Sequence, residues 1–536
     1  MFYEDGILWL GTETGGVNKL SPGNTFIRNY THDKNVEGSI SRNPVNAILE
    51  DKDGHLLIGT VEGGLNLKRK GEEHFTHFTA SSPARLSHNS VSALSIDDNK
   101  RLWTGTWGYG VTLLNMNDPD KRSVKYFNTG NYPTFFLDFV GALTFDKLNN
   151  GMWIGTNQGL YYYDIEKDSL QRPFRNNMSD HINGIIGSII DKENNLWLGC
   201  NEGVYIIDLN SKTDQFYSYV HLKYKLDNPQ SKLVERITSF CIDSNDVLWL
   251  GSDGFGIYKG IVNDDGSYTF QSYTTAHGLA NNNVKGLLED DNGNIWISTI
   301  NGLSCYNKKN DSFTNYYEED GLVSGQFYWN AYYKTKDGTL YFGTLSGLVA
   351  VNPEMIRSDA ANYRVTLTDF YVNNEKVNPR KIIKEDISVA DKISLHEKTR
   401  SFSIDFSALN YRSISNYVYV YQLVGYDEDW IELSNSGHSV TYMNLPAGNY
   451  EFQVKYVPKD MLQAGEVTQI SVNISPYFYK TGWFISLIVL LAILSVVMLH
   501  FRRVRSYEHQ QKLLKLNVDE RTREIRSEEH TSELQS

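Results

Sequence analysis

Along roughly the first two-thirds of the chain, short runs of alternating apolar and polar residues return at a fixed interval, each bounded by Gly, Asn or Asp. An alternating run such as residues 45–49, a Trp-centred run after a polar turn, a third run after a Gly turn and an aromatic run such as residues 75–78 predict four short strands per repeat. Period two places every second side chain on one face of a sheet.

The interval is legible in one motif. Asp5-Gly6-Ile7-Leu8-Trp9-Leu10-Gly11-Thr12 returns as Asp53-Gly54-His55-Leu56-Leu57-Ile58-Gly59-Thr60. It returns again at Trp103-Thr104-Gly105-Thr106, Trp153-Ile154-Gly155-Thr156, Trp197-Leu198-Gly199-Cys200, Trp249-Leu250-Gly251-Ser252, Trp296-Ile297-Ser298-Thr299 and Tyr341-Phe342-Gly343-Thr344. Counted from the position of Gly11, successive copies lie 48, 46, 50, 44, 52, 47 and 45 residues apart. Four strands in about 47 residues is the size of a propeller blade. The acids before each Gly read as turn chemistry, and the Trp is expected between neighbouring blades, where a flat side chain fills the wedge between twisted sheets.

Closure sets the blade count. The eighth copy has no evident fourth strand after Val349-Ala350-Val351, whereas Thr25-Phe26-Ile27-Arg28-Asn29-Tyr30 is a fourth strand without a blade. Joining the two closes a seven-bladed β-propeller over 22–353 and leaves no open edge; an eight-bladed ring is the competing arrangement. Residues 1–21 then read as the remnant of a preceding propeller blade.

From 354 to 475 the period stops. Ser401-Phe402-Ser403-Ile404-Asp405-Phe406 and Tyr417-Val418-Tyr419-Val420-Tyr421 alternate cleanly, and Leu445-Pro446-Ala447-Gly448-Asn449-Tyr450 reads as a tyrosine corner, which together predict an immunoglobulin-like β-sandwich. Residues 480–501 follow as a transmembrane helix: the 21 residues between Lys480 and Arg502 contain no Asp, Glu, Lys or Arg, and as a helix span roughly 31 Å. Tyr477, Phe478, Tyr479 and Trp483 form an aromatic belt on one side and Arg502, Arg503 and Arg505 a basic cluster on the other, which places the β-domains outside. Over 502–525 a short cytoplasmic helix carries Val504, Tyr507, Gln511, Leu514, Val518, Arg521 and Ile525 at a/d spacing, a seam for a homodimer, with a solvated juxtamembrane helix as the competing reading. Residues 526–536 read as the translation of a sequencing adaptor, so His530 is no phosphoacceptor. The class is all-β, with one transmembrane helix and one short cytoplasmic helix after it.

Composition agrees and excludes. The chain has 536 residues with 35 Tyr, 24 Phe and 10 Trp, a β-rich bias, and 64 Asp+Glu against 51 Lys+Arg give a net charge of -13. An acidic surface of this size argues against direct contact with nucleic acid. Cys200, Cys241 and Cys305 are too widely spaced for a zinc pattern and read as small buried apolar residues. Asp290-Asp291-Asn292-Gly293-Asn294 imitates a calcium loop but lacks the downstream glutamate, so it reads as a repeat turn; no metal or cofactor is expected.

The Trp-Ile-Gly-Thr-x-x-Gly-Leu repeats, the strand from Tyr417 to Leu423 with Gly425-Tyr426 and Trp430 after it, and the single membrane helix together resemble the periplasmic sensor of Bacteroidetes-type hybrid two-component histidine kinases. The resemblance covers almost the whole chain. It implies two propellers before a triple-tyrosine sandwich, a histidine kinase beyond the helix, location in the inner membrane with the β-domains in the periplasm, and recognition of oligosaccharides released from polysaccharides. These residues contain no Ser-His-Glu-Phe-Arg-Thr-Pro-like box, so this chain is not expected to be an enzyme. Similar sensors feed diguanylate cyclases or transcription factors, and a membrane-tethered glycan lyase or hydrolase on the propeller is the alternative from another class.

Ligand contacts are expected on the face shared by the inter-blade loops and the turns between second and third strands. The candidates are Trp107, Tyr109, Phe135, Phe136, Tyr224, Phe255, Phe327 and Trp329, because aromatic faces suit the apolar C–H faces of sugar rings. The competing reading for each is packing against a neighbouring blade.

Overall fold

The computed structural model describes residues 2–4, 7–13, 16–20, 26–81, 85–115, 124–174, 182–213, 216–222, 236–263, 268–356, 364–377, 385–408, 417–433, 437–458 and 465–533. Two compact units are present, one centred on 1–361 and one running from 362 to the C-terminus.

In the first unit seven four-stranded antiparallel sheets follow one another: blade 1 (45–78), blade 2 (91–127), blade 3 (140–171), blade 4 (187–222), blade 5 (237–273), blade 6 (284–316) and blade 7 (327–351). The first strands of successive blades pack side by side around the ring, and that of blade 7 packs against that of blade 1. Blade 7 takes its fourth strand from the other end of the chain. Ile27–Tyr30 pairs with Gly347–Val351, with Ile27 opposite Val351 and Tyr30 opposite Leu348. Asn29 adds side-chain ties to the preceding turn, donating to Gly321 O at 2.8 Å and accepting from Val323 N at 3.2 Å. The ring therefore has seven blades, and the strands Phe2–Glu4, Ile7–Thr12 and Gly16–Leu20 form a separate three-stranded sheet.

The motif tryptophans hold the blades together. Trp103 of blade 2 shares a core with Val140, Met152 and Ile154 of blade 3. Trp153 packs on Leu196 and Leu198 of blade 4, Trp197 on Ile237 and Leu248 of blade 5, Trp249 on Ile295 and Ile297 of blade 6, and Trp296 on Leu340 and Phe342 of blade 7. Tyr341 and Leu57 take this place in blades 7 and 1. Burying roughly 200 Å² of indole is worth at most about 5 kcal/mol at about 25 cal/mol per Å².

Each buried indole keeps one N–H, and the turn aspartate accepts it. Asp97, Asp191, Asp243 and Asp290 receive the Nε1–H of the tryptophan six residues later at 2.8–3.0 Å, and Asp146 receives that of Trp153 at 3.3 Å. The other oxygen of Asp290 takes the backbone N–H of Asn292 and of Asn294. The acids are thus turn residues and inter-blade anchors together, the second role being one that the sequence pattern did not disclose.

The second unit contains a sandwich of two sheets. One holds Thr366–Val372, Glu375–Lys376, Ser401–Ser407 and Ser439–Met443; the other holds Lys392–His396, Thr468–Ser475, Gly448–Pro458, Tyr417–Val424 and Ile431–Glu432. The hydroxyl of Tyr450 donates to Pro446 O at 3.1 Å, four residues upstream, the hydrogen bond of a tyrosine corner. The Tyr419 oxygen accepts Ala408 N–H at 2.9 Å, while Tyr442 donates to Asp427 at 2.6 Å.

A single helix, Gly482–Glu533, then runs for 52 residues. Among the described residues it is the one helix long and apolar enough to cross a membrane, with a mean hydropathy of 2.8 in its apolar window. The expected membrane and linker helices are continuous, because no Gly or Pro interrupts the run after Gly482. Lys480, just before it, donates to Glu397 at 2.6 Å and so ties the helix start to the sandwich.

Candidate functional site

The innermost strand of most blades slips register once. In blades 1, 2, 3, 5 and 6 the ladder skips a single residue, leaving Asn46, Ser92, Gly141, Thr238 and Lys285 unpaired on the bulged strand. A bulge turns one side chain away from the alternating pattern, and Asn46, Ser92 and Gly141 here line the middle of the ring. Two of the five staple neighbouring blades: Ser92 Oγ donates to Val140 O at 2.6 Å and Thr238 Oγ1 to Val284 O at 2.8 Å.

Blade 7 departs furthest. Its strand Phe327–Lys334 pairs Phe327 with Thr344 and next Tyr332 with Phe342, so four residues, Tyr328 to Ala331, face the single Gly343. Asn330 takes a left-handed backbone conformation at φ 54°, which asparagine tolerates better than most residues. Its Nδ2 reaches Gly141 O of blade 3 at 3.0 Å. The Tyr332 hydroxyl crosses to blade 5 and accepts Phe240 N–H at 3.3 Å, and burial pushes that hydroxyl up to about 12. Gly286 makes room for this ring, since a Cβ there would lie 2.5 Å from Tyr332 Cδ1.

These devices leave a cavity of about 490 Å³ at the centre of the ring. Its wall combines Trp329 and Asn330 of the long bulge with Asn46 and Ser92 of the short ones. It also takes Trp107, Asn157 and Asn201, each the first residue after a motif Gly-Thr or Gly-Cys pair. Apolar walls with a few convergent amides and one cation are the composition of a pocket for a polar small molecule. A wider depression of about 860 Å³ lies beside 32–42, but two of its histidines serve the backbone: His32 bonds Ile40 O and His77 bonds Ser39 O, both at 2.8 Å.

Charge at the central cavity is concentrated on one side. Arg236 donates to Asp253 Oδ2 at 3.1 Å, and Lys285 Nζ stands 3.6 Å from Asp253 Oδ1. Both cations flank Trp329, with Arg236 Cζ 5.3 Å and Lys285 Nζ 5.0 Å from the ring centroid. Burial holds the Lys285 ammonium below the usual lysine range, with Asp253 pulling the other way and Arg236 reinforcing the fall.

Of the residues expected from sequence, Trp107 and Trp329 line this cavity. Phe327 does not: it is 3% exposed and packs on Phe342 in the core between blades 6 and 7, because it still belongs to the regular part of its strand. Phe135 is half-buried against Tyr161 under Arg172. Tyr109, stacked on His88, and Phe136 and Phe255 are exposed but outside the cavity wall. Tyr224 lies outside the described residues. Sequence reasoning missed Asn46, Asn157, Asn201, Arg236 and Asn330 on the wall, and Lys285 beside Trp329. The residue after each Gly-Thr or Gly-Cys pair was a usable signal for Asn157 and Asn201; the bulged positions carried none, because a bulge leaves the alternating pattern almost unchanged.

The family comparisons match these elements. The two-component regulator propeller description fits residues 39–62 and 278–301, which contain the bulged and Trp-position strands of blades 1 and 6, and the Y_Y_Y domain description fits 410–475. The chain carries segments of the two-component regulator propeller type and one of the Y_Y_Y type. Histidine kinase P4 of Formosa agariphila is 26% identical over 483 residues, covering 78% of this chain and 34% of the relative. The extracellular domain of a hybrid two-component system from B. thetaiotaomicron is similar at 25% identity with a TM-score of 0.68, over 87% of this chain and 60% of that one. The chain thus spans about a third of the curated relative and 60% of the solved one. Together with the apolar helix, these likenesses describe a membrane-anchored extracellular sensor region of the two-component type.

Proposed function

We propose that this chain is the ligand-sensing part of a receptor that binds polysaccharide-derived oligosaccharides in the central propeller cavity. The signal would pass through the single helix to a cytoplasmic histidine kinase. The carrying observation is the convergence of Trp107, Trp329, Asn46, Asn157, Asn201 and Asn330 on one cavity. Indole faces stack on the C–H faces of sugar rings, and amides offer both donors and acceptors to hydroxyls.

The basic residues Arg502, Arg503 and Arg505 after the apolar segment support an inner-membrane location with the propeller in the periplasm. The uncovered apolar side chains Val504, Tyr507, Leu514, Val518 and Ile525 along the continuous helix support a homodimer through it. In such a dimer a ligand acts by favouring one packing of the helix pair over another.

The test is calorimetric titration of the full chain in lipid nanodiscs with a panel of neutral and acidic oligosaccharides, alongside Trp107→Ala and Trp329→Ala. Saturable binding without turnover, weakened by either substitution, is expected. Product formation would make the chain a glycan-active enzyme, and absence of binding by every oligosaccharide would overturn the reading.

A further inference from the structure

Lys285 is the bulged residue of blade 6, the place where other blades carry the small or neutral Asn46, Ser92, Gly141 and Thr238. Its side chain is only 5% exposed. A buried ammonium is costly unless it is fully paired, and here the pairing is incomplete. Asp253 is shared between Lys285 and Arg236, so two cations face one carboxylate. Arg236 also keeps its buried Nε–H without an acceptor, and Asn46, 2% exposed on the cavity wall, keeps a buried Nδ2 without one. Arg236 is the one charged residue of the cavity wall, and no Asp or Glu among the described residues lines it. A chain with a net charge of -13 therefore concentrates spare positive charge and spare N–H donors around Trp329, at the centre of its ring.

We propose that Arg236 and Lys285, set beside Trp329, form an anion subsite, so that the ligand of the central cavity is an acidic sugar bearing a carboxylate or a sulfate. This rests on the oligosaccharide reading above and adds the charge class. The anion would bring the charge balance to two and two and accept from Arg236, whose planar fork suits a carboxylate or sulfate edge. Trp329 then holds the apolar face of the same ring, and the asparagines take its neutral hydroxyls. Asp253 is a positioning residue: it orients both cations without cancelling them.

The experiment compares matched oligosaccharides on the full chain in nanodiscs: a uronate-containing oligosaccharide, its carboxyl-reduced counterpart, and a sulfated chain of neutral sugars. At least one acidic ligand is expected to bind about tenfold tighter than the carboxyl-reduced one or better. Which of the two does so identifies carboxylate or sulfate as the recognised group. That preference should shrink as NaCl is raised, and should vanish in Arg236→Gln and Lys285→Met, read within each variant as the ratio of acidic to carboxyl-reduced affinity. The salt series on the native chain decides the matter even where a variant fails to fold. If the carboxyl-reduced oligosaccharide binds as tightly as the acidic ones, or the preference survives both substitutions, the anion subsite is wrong and the oligosaccharide reading stands. If none of the three binds, the oligosaccharide reading itself fails.

Discussion

The Asp290 carboxylate accepts the indole N–H of Trp296 at 2.9 Å, across the hairpin turn that begins at the same aspartate. Asp290 is 3% exposed and Trp296 is fully buried against blade 7. Turn closure and inter-blade packing are therefore joined through one side chain. Asp290→Ala leaves the indole N–H and two turn amides without their acceptor, and should cost about 2–3 kcal/mol. Asp290→Asn retains an acceptor and should cost clearly less. Urea midpoints of the two variants check this, and equal midpoints would reduce the aspartate to an ordinary turn residue.

Ring closure rests on Ile27–Tyr30 against Gly347–Val351. A chain starting at Thr31 exposes the edge of an apolar strand, in which Leu348, Val349 and Val351 are now fully buried, and open edges of this kind recruit other strands. Such a chain should melt lower and self-associate in light scattering. A peptide spanning 25–30 added in trans should restore the monodisperse state.

Blades 5 and 6 are joined by a charge cluster with a defined pH signature. Lys308 donates to Asp243 at 2.9 Å and to Glu289 at 2.7 Å. Burial by itself would raise Asp243, but the bonds from Lys308 and Trp249 outweigh it and hold the carboxyl below its ordinary value. Lys308 is opposed by burial too, yet ends above the usual lysine range because of Glu289 and Asp243. The carboxylate contribution is complete above about pH 4 and is lost as pH falls through the lowered folded value. The lysine contribution is complete below about pH 10 and is lost as pH rises through the raised one. Melting curves of the native chain and Lys308→Met should differ by a constant amount between about pH 5 and 9, and the difference should shrink at both ends.

The three thiols are free and all are held protonated by burial. Cys200 is pushed up to about 11 and Cys241 to about 12, and Cys305 moves in the same direction. Since the thiolate is the reactive form, a disulfide-exchange reagent at pH 8 should label none of them in the native chain. Three should be labelled in guanidinium. Rapid labelling of the native chain would mean that the inter-blade cores open.

Much of this architecture is legible in the sequence. The strand period, the Gly-Thr turns and the Trp positions are written within about ten residues of each other, because alternation and turn conformation are local properties of the backbone. The orphan strand before residue 31 and the missing one after Val351 implied closure by themselves. Tyr450 announced its corner through the Leu-Pro-Ala-Gly-Asn spacing, and the charge-free segment announced the helix. The candidate site was only half legible: Trp107 and Trp329 were found, whereas Phe327, two residues before Trp329, turned out to be core.

What the sequence by itself determined is the repeat, its count and its order, since each is encoded where it is formed. The tertiary structure alone decided which side chains meet. Asn330 reaches Gly141 across 189 residues of chain, and Arg236, Asp253 and Lys285 gather around Trp329 from three successive segments of the ring. One physical reason is the bulge: a single unpaired residue on the inner strand of five blades leaves the alternating pattern almost unchanged, yet it turns one side chain away from the sheet face. Convergence on the middle of the ring exists only once seven sheets have closed around it.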